Sequence, residues 1–354
     1  MDDPVSAWLR AMPKAELHLH LDGSLRPRTA LELARERGLP GAGELDLDRI
    51  RDRLVAPPRC TDQAELLAAF DLPVSLLQDR AALTRAASEL VEDVAGDGTR
   101  YAEVRWAPTL HLEGGLTVRD VLETVVEASA RAAVRQGIHV RLIAVAMRTQ
   151  PPNVAEELAR EAQAFRDAGL TGFDLAGREQ EAPDVTGFTG AFELARAAGL
   201  GLTCHAGEWG GAAQVRAALA LTPWRIAHGA PAAKDEALMG DLIEAGVTLD
   251  LCPTSNVQAG VASWGPGAPW PRLVRAGVPV TISTDDRTVS DLTLVRELRR
   301  AMDLLGLAAA EIVAVVRQAY AAAFLHHDEA LRAELLAAFD AWVAAHPPPF
   351  PGTR

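Results

Sequence analysis

Cysteine is scarce in this 354-residue sequence, and it contains no uncharged apolar run long enough, at about 18 residues, to cross a bilayer. The three cysteines, Cys60, Cys204 and Cys252, are too few and too scattered for a disulfide framework or a thiolate zinc cluster. We expect them to be small buried hydrophobic residues. A nucleophilic role for Cys204 has only its position beside His205 in its favour.

Basic residues are also in short supply, with 35 Lys and Arg against 48 Asp and Glu and a net charge of −13. This charge repels phosphate backbones, and no cluster of basic residues with interleaved aromatics offsets it, so nucleic acid is not an expected partner. The first residues, MDDPVSAWLRAMPK, lack the basic and apolar regions of a signal peptide. The sequence therefore predicts a cytoplasmic protein that does not associate with membranes.

Eight short apolar or β-branched runs, each followed by turn residues, predict strands. They span residues 14–21, 101–108, 140–147, 172–177, 200–207, 225–229, 248–255 and 278–286. Segments with helical apolar spacing lie between them, and several end at a glycine suited to a helix C-terminus. Eight strand-then-helix units predict an α/β fold of the (β/α)8 TIM barrel type, a single domain over residues 1–354. An open doubly wound sheet is the alternative.

The first strand-to-strand connection, residues 24–100, is much longer than the others and contains several helical segments. Such a helical insertion belongs on the catalytic side of a barrel, where it can form a lid. After residue 286 the pattern is helical to about residue 345, and residues 346–354 form a proline-rich tail.

Histidine and carboxylate residues recur where the predicted strands end. In His18-Leu19-His20 the two imidazoles point to the same side of a strand and can bind one metal ion, although packing alone is an alternative. The other side chains of this kind come at the ends of later strands, where barrel active sites are assembled: His205, Glu208, His228, Asp285 and Asp286.

Three imidazoles and one carboxylate match zinc, which takes nitrogen and oxygen ligands and leaves a position open for water in catalytic sites. We assign one zinc ion per chain to these residues: His18, His20, His205 and Asp285. Bound zinc lowers the pKa of its water to about 7, which yields a hydroxide nucleophile near neutral pH. Iron or cobalt would also suit these donors.

Several motifs, in this order, resemble the adenosine deaminase family of the amidohydrolase superfamily over most of the chain. The sequence has no C-x-x-C and so differs from the nucleobase deaminases with a His/Cys/Cys zinc site. The motifs are KAELHLHLDGSL (14–25), YAEVRWAP (101–108), GFDLAG (172–177), HAGE (205–208), RIAHG (225–229), LCPTSNV (251–257) and STDD (283–286).

The resemblance implies the same four zinc ligands and a reaction at C6 of a purine. Glu208 would protonate N1 as hydroxide attacks C6, and His228 would orient the zinc-bound water. Asp286 would hydrogen-bond N7, and Gly177 would offer its backbone N–H to N3. From the residues alone, Gly177 could instead serve a tight turn, and His228 could be a buried core residue.

The same resemblance places Asp22 at the ribose 5′-hydroxyl, although this residue could also cap a turn before Gly23. Relatives that act on adenine or futalosine-type nucleosides more often carry Glu at this position. Asp22 therefore favours adenosine or 2′-deoxyadenosine, a purine salvage activity. The alternative within the family is deamination of adenine, 6-aminodeoxyfutalosine or a modified adenosine. AMP fits less well, because Asp22 would repel its phosphate. A non-catalytic barrel that only binds a ligand is a further alternative.

Other residues complete the prediction. The family covers its substrate with an apolar patch, which implies a lid contact for Leu66, Leu67 and Phe70, and Trp106 and Met147 are expected to line the pocket. Glu103 and Arg105 share a strand face and are expected to form an ion pair. The chain departs from the family pattern at Arg287, Trp270-Pro271, MRTQ (147–150) and Ala323; we expect Arg287 to pair with Asp291 or another acidic neighbour.

Overall fold

A computed structural model describes residues 3–182 and 184–349 and contains eight strands that are hydrogen-bonded in sequence order, each parallel to the next. Backbone bonds from His20 N to Asp285 O (2.8 Å) and from Asp285 N to His18 O (3.0 Å) join the end of the last strand to the first. This confirms the predicted (β/α)8 barrel, because an open doubly wound sheet would leave these two strands apart. The strands are β1 Lys14–His20, β2 Thr99–Trp106, β3 His139–Met147, β4 Leu170–Ala176, β5 Gly201–Ala206, β6 Arg225–His228, β7 Thr248–Leu251 and β8 Val280–Ile282.

The helices surround the strands and follow the predicted segments. For example, α7 begins at a capping box between Thr117 and Asp120 and ends at Gly137, whose φ of 65° suits a residue without a side chain. The helices are α1 Pro4–Ala11, α2 Pro27–Glu36, α3 Leu47–Leu54, α4 Gln63–Leu67, α5 Asp71–Leu76, α6 Arg80–Gly96, α7 Val118–Gln136, α8 Pro152–Gln163, α9 Thr189–Ala197, α10 Gly211–Leu219, α11 Glu236–Ala245, α12 Pro253–Gln258, α13 Pro269–Arg275, α14 Leu294–Leu305, α15 Ala309–Ala322 and α16 Glu329–Ala345.

The long first connection divides into two parts with different positions. Helices α4 and α5 supply residues to the wall of the cavity at the carboxyl ends of the strands, which we call the mouth of the barrel. Helix α6 instead packs against α7 in the outer helical layer. Only the middle of the 24–100 insertion therefore lies over the mouth.

Two predicted strands end four residues earlier than the sequence pattern indicates. The run 248–255 leaves the strand after Leu251, because Pro253 lacks an N–H and suits the first position of a helix. The run 278–286 is extended only over Val280–Ile282, and Asp285 has a left-handed φ of 65° that is incompatible with a strand. Of the proline-rich tail, residues 350–354 lie outside the described residues.

Charged side chains fill the barrel below the mouth and pair with one another. We define the barrel network as five residues that are at most 1% exposed: Glu103, Arg105, Asp174, Arg225 and Asp250. Arg225 bonds Glu103 and, through Nε, Asp250 Oδ2 at 2.9 Å, whereas Arg105 Nη1 bonds Asp174 Oδ2 at 2.9 Å. The predicted pairing of Glu103 with Arg105 is therefore wrong, because the oppositely charged partners of both side chains lie across the barrel. Along its own strand, Glu103 instead accepts a hydrogen bond from the hydroxyl of Tyr101 at 2.7 Å.

Among the residues that the structure describes, every helix is too short or too polar to span a lipid bilayer. The three cysteines are free thiols in buried positions, as predicted.

Candidate active site

The ends of β1, β5 and β8 bring four predicted ligands together: His18, His20, His205 and Asp285. Their ligand atoms all lie within 4.8 Å of one another, and we call this group the donor cluster. Asp285 Oδ1 is 2.9 Å from His18 Nε2 and 3.3 Å from His20 Nε2. His20 Nε2 is also 3.3 Å from His205 Nε2. The predicted convergence of these residues on one point is present in the fold.

The donor cluster has the protonation that metal ligands need. Burial lowers the pKa of His18 well below its usual value and that of His20 to about 3, so both rings are neutral and carry lone pairs. Burial would raise the pKa of Asp285, but His18 and His228 hold it well below the usual range, and the carboxylate is ionised. Lone pairs about 3 Å apart repel one another, and a divalent cation among them removes that repulsion.

Asp174 orients His205 within the cluster. Its Oδ2 lies 2.9 Å from His205 Nδ1, which fixes the ring proton on Nδ1 and leaves the Nε2 lone pair facing the other donors. Burial opposes the ionisation of Asp174, but His205 and Arg105 nevertheless hold its pKa far below the usual range. Sequence reasoning missed Asp174, although its place in the middle of the GFDLAG strand, beside the strand that carries His205, was a usable signal.

His228 lies at the cavity wall, with Nε2 3.9 Å from both Glu208 Oε2 and Asp285 Oδ2. The amide of Asn256 donates to His228 Nδ1 at 3.3 Å, which leaves the ring proton on Nε2, facing the cavity. The sequence pattern did not indicate this role for Asn256. His228 and Asp285 have φ values of 68° and 65°, and strained backbone of this kind gathers at functional sites.

Two further carboxyl groups at the mouth have raised pKa values. Burial, together with the nearby charge of Asp285, raises the pKa of Glu208 to about 8 and that of Asp286 well above its usual value. Asp286 Oδ1 has no hydrogen-bond partner among the described residues. Gly23 makes room for it, since a Cβ at this position would lie 1.7 Å from Asp286 Oδ1. Each group can therefore donate a proton or a hydrogen bond to a ligand.

These groups face a cavity of about 450 Å³. Its lining includes these residues of the sequence prediction: Asp22, Gly177, Leu66, Leu67, Phe70 and Met147. The prediction for Trp106 is wrong, because this side chain is fully buried in the hydrophobic core. Successive residues of a strand point to opposite faces, so Arg105 inside the barrel leaves Trp106 on the helical side.

The alternative structural roles of Gly177 and Asp22 coexist with their position in the cavity. Gly177 has a φ of 110°, which residues with a side chain rarely adopt, so it does serve a turn. Asp22 Oδ1 accepts a hydrogen bond from Gly23 N at 3.2 Å, and burial raises the pKa of Asp22 to about 6. Both residues nevertheless border the space that a ligand would fill.

The departures from the family pattern lie outside the donor cluster. Arg287 contacts Glu16 and Asp97, each at 3.5 Å, whereas Asp291 pairs with Arg51 at 2.7 Å. An acidic neighbour was therefore expected correctly, but Asp291 is not that neighbour, since its half-exposed side chain pairs with Arg51 instead. Trp270 and Ala323 are buried in the hydrophobic core.

Cys204 does not support the nucleophile alternative. The side chain is fully buried, and burial raises the pKa of its thiol to about 12. Because the thiolate is the reactive form, such a cysteine is inert at neutral pH.

A cluster of His and carboxylate donors at the mouth of an α/β barrel, beside a glutamate with a raised pKa, is typical of barrel hydrolases that bind a metal ion. A family model described as adenosine deaminase matches residues 13–342. The adenosine deaminase of Enterococcus faecalis is 36% identical over 321 residues, which cover 91% of this chain and 94% of that protein.

Solved structures agree with the sequence relatives. The adenine deaminase of Arthrobacter aurescens superposes with a TM-score of 0.84 at 27% identity, covering 94% of this chain and 100% of that one. The N6-methyl-AMP deaminase of Arabidopsis thaliana gives a TM-score of 0.84 at 30% identity, covering 96% and 100%. The chain belongs to the adenosine deaminase family, and it is a hydrolytic deaminase.

Proposed function

We propose that this protein is a zinc-dependent deaminase that converts adenosine and 2′-deoxyadenosine to inosine and 2′-deoxyinosine, with release of ammonia, in cytoplasmic purine salvage. One observation carries the proposal: Glu208 and Asp286 line the same cavity as His20, His205 and Asp285 of the donor cluster. Deamination of a purine needs a metal-activated water and a proton donor beside the six-membered ring, and binding of the base is helped by a hydrogen-bond donor at N7.

One zinc ion per chain would be held by His18, His20, His205 and Asp285. Three neutral imidazoles and one carboxylate are a zinc ligand set, and the crowding of their lone pairs supports a cation at this place. When bound, zinc lowers the pKa of a water molecule to about 7 and so supplies the nucleophile at neutral pH.

The protein side chains move the protons. As the water oxygen bonds to C6, Glu208 gives its proton to N1, so that the ring carries no net charge while C6 becomes tetrahedral. The Nε2–H of His228 orients the water, and the proton lost by the water reaches the amino group. The C6–N bond then breaks and ammonia leaves, and the C6 hydroxyl becomes the carbonyl of the product as its proton passes to Glu208.

The base and the sugar are held by the remaining cavity residues. N7 of a purine only accepts hydrogen bonds, so the protonated carboxyl of Asp286 suits it as a donor. Gly177 offers its backbone N–H to N3, and Asp22 accepts from the 5′-hydroxyl. The apolar side chains of Leu66, Leu67 and Phe70 cover the base as a lid.

The charge of the cavity wall favours a nucleoside over a nucleotide. Asp22, Asp71 and Glu113 line the cavity, and the guanidinium of Arg178 is paired with Glu181 at 2.7 Å. A 5′-phosphate would therefore enter a wall of like charge without a free cation among the lining residues that the structure describes.

The test is a spectrophotometric screen of the zinc-loaded protein that follows loss of the 6-amino chromophore. Adenosine and 2′-deoxyadenosine should be turned over at least ~10-fold faster than AMP, because the cavity wall repels phosphate. Adenine and 6-aminodeoxyfutalosine complete the panel. If adenosine is not turned over but another member of the panel is, the substrate assignment is wrong and the deaminase activity stands. If no member is turned over, the protein is a non-catalytic binding barrel.

A further inference from the structure

We propose that Glu179 is a positioning residue for the proton donor Glu208. The inference rests on the proposed function, in which Glu208 protonates the substrate. Glu179 acts by fixing the backbone that follows Glu208, so that the Glu208 carboxyl stays directed into the cavity.

The contact is between Glu179 and the two residues that come directly after Glu208. Glu179 lies in the loop after β4, and its Oε2 accepts hydrogen bonds from Trp209 N at 2.9 Å and Gly210 N at 2.6 Å. Hydrogen bonds to a carboxylate are about twice as strong as those between neutral groups. One oxygen atom therefore holds two consecutive peptide groups.

The backbone at this point needs an external anchor. Strand β5 ends at Ala206, so the ladder bonds of the sheet do not extend to Glu208. Gly207, Gly210 and Gly211 flank Glu208, and glycine has the greatest backbone freedom of any residue. Without added contacts, this segment would place the Glu208 carboxyl over a range of positions.

Contacts at both ends restrict the segment. At its start, Arg148 Nη2 donates to His205 O at 2.6 Å. At its end, Glu179 binds Trp209 and Gly210, and the side chain of Trp209 packs against the small buried cluster that includes the lid residue Leu66. The proton donor thus lies between two fixed points.

Glu179 is buried in a way that indicates a role beyond folding. It is only 1% exposed, and its Oε1 has no hydrogen-bond partner among the described residues. A buried carboxylate with an unpartnered oxygen costs stability, and such groups in native proteins call for an explanation. Glu179 is not among the described residues that line the cavity, so it acts through Glu208 rather than on the substrate.

The first experiment compares kcat and KM of Glu179→Ala and Glu179→Gln, with the aminopurine that the wild type turns over best. Displacing a catalytic group by 1 Å can cost ~100-fold, so we expect Ala to lower kcat on the order of 100-fold and to leave KM nearly unchanged. Gln keeps a carbonyl oxygen that can accept from both N–H groups and should restore most of kcat. Asp184→Ala is the matched control, since Asp184 also accepts a loop N–H, from Thr186 at 2.8 Å, but is exposed.

The second experiment separates positioning from a general loss of structure. In a Glu208→Gln background, Glu179→Ala should cost no more than ~2-fold, because residues that act through one another are not additive. Binding of 1-deazaadenosine, which has no nitrogen at position 1, should be the same in the wild type and Glu179→Ala. If Ala does not fold, Glu179→Asp replaces it; its shorter side chain cannot reach both N–H groups, so it should lower kcat as well.

The outcomes are distinct. Full kcat in the folded Ala or Asp variant overturns the proposal, as does an equal loss in the wild-type and Glu208→Gln backgrounds. Equal losses in Ala and Gln, with weakened 1-deazaadenosine binding, also overturn it in favour of a structural role. A wild type that deaminates none of the aminopurines overturns the proposed function instead.

Discussion

The mouth of the barrel and the barrel network below it are both buried and both polar, but their charges are paired in different ways. In the barrel network, Arg225 bonds Glu103 and Asp250, and Arg105 bonds Asp174. At the mouth, the donor cluster crowds lone pairs together, and Asp286 Oδ1 has no partner among the described residues. The left-handed φ values of His228 and Asp285 also lie there.

The difference separates stability from function. Each charged group of the network has an oppositely charged partner within the chain, and these pairs link strands across the barrel. Crowded donors and unpartnered carboxyl groups are satisfied only when a cation and a ligand arrive. Asp174 belongs to both regions, because it binds Arg105 on one side and His205 on the other.

The largest expected effect comes from the mouth. Glu208→Gln should keep the metal and the unfolding temperature but lower kcat on the order of 100- to 10,000-fold, since an amide cannot protonate N1. His18→Ala should lose the metal itself. Metal analysis and steady-state kinetics on both variants check this, and a Glu208→Gln enzyme with full kcat would exclude Glu208 as the donor.

Breaking the barrel network should lower the stability of the protein and leave kcat nearly unchanged. Arg225→Met leaves Glu103 and Asp250 buried without their partner and should lower the free energy of unfolding by about 3–5 kcal/mol, with kcat of the folded protein nearly unchanged. Arg317→Met is the control, because its pair with Asp340 is half exposed and such pairs contribute about 0–1 kcal/mol. Equal destabilisation by both variants would show that the buried charge pairs of the network contribute no more to stability than a surface pair.

Glu297 is a buried carboxyl group outside both regions, and it tests whether hydrogen bonds alone can keep a buried carboxylate ionised. Glu297 accepts from Thr254 N at 2.7 Å and from its hydroxyl, and burial raises the pKa of Glu297 to about 7. The folded state therefore binds this proton more tightly than the unfolded state, and the resulting stability is lost as pH rises from about 4.5 to about 7.

The advantage of the wild type over Glu297→Gln in free energy of unfolding should shrink between about pH 5 and about pH 8, on the order of 3 kcal/mol at most. Denaturant unfolding of both proteins across this range measures it. A constant difference would mean that Glu297 has the same pKa in the folded and unfolded states.

The smallest expected effect concerns the sugar end of the cavity. Asp22→Ala should raise KM for adenosine about 10-fold, which corresponds to one hydrogen bond to a charged group, and leave KM for adenine unchanged. Kinetics on both substrates check it. An equal rise for both would show that Asp22 supports the cavity rather than the ribose.

Sequence predicted the parts of this molecule that depend on local pattern. The eight strand-then-helix units were sufficient to predict the barrel. The alternation in His18-Leu19-His20 and the polar residues after later strands were sufficient to predict the convergence of the donor cluster. The partners of these residues were not predictable, because Asp174, Asn256 and Glu179 act through contacts between strands or loops far apart in sequence. The wrong Glu103–Arg105 pair has the same origin, since the charge partners of both residues lie across the barrel. The wrong placement of Trp106 has a local cause, because the alternation along β2 puts it on the face opposite Arg105.

The central claim is that the unpaired donors at the mouth hold one catalytic metal ion, and a zinc titration of metal-free protein tests it most directly. We expect activity on adenosine and the unfolding temperature to rise together and to saturate at one zinc per chain, with neither rise in His18→Ala. Activity that survives complete metal removal, or that rises without saturating at one equivalent, would contradict the account.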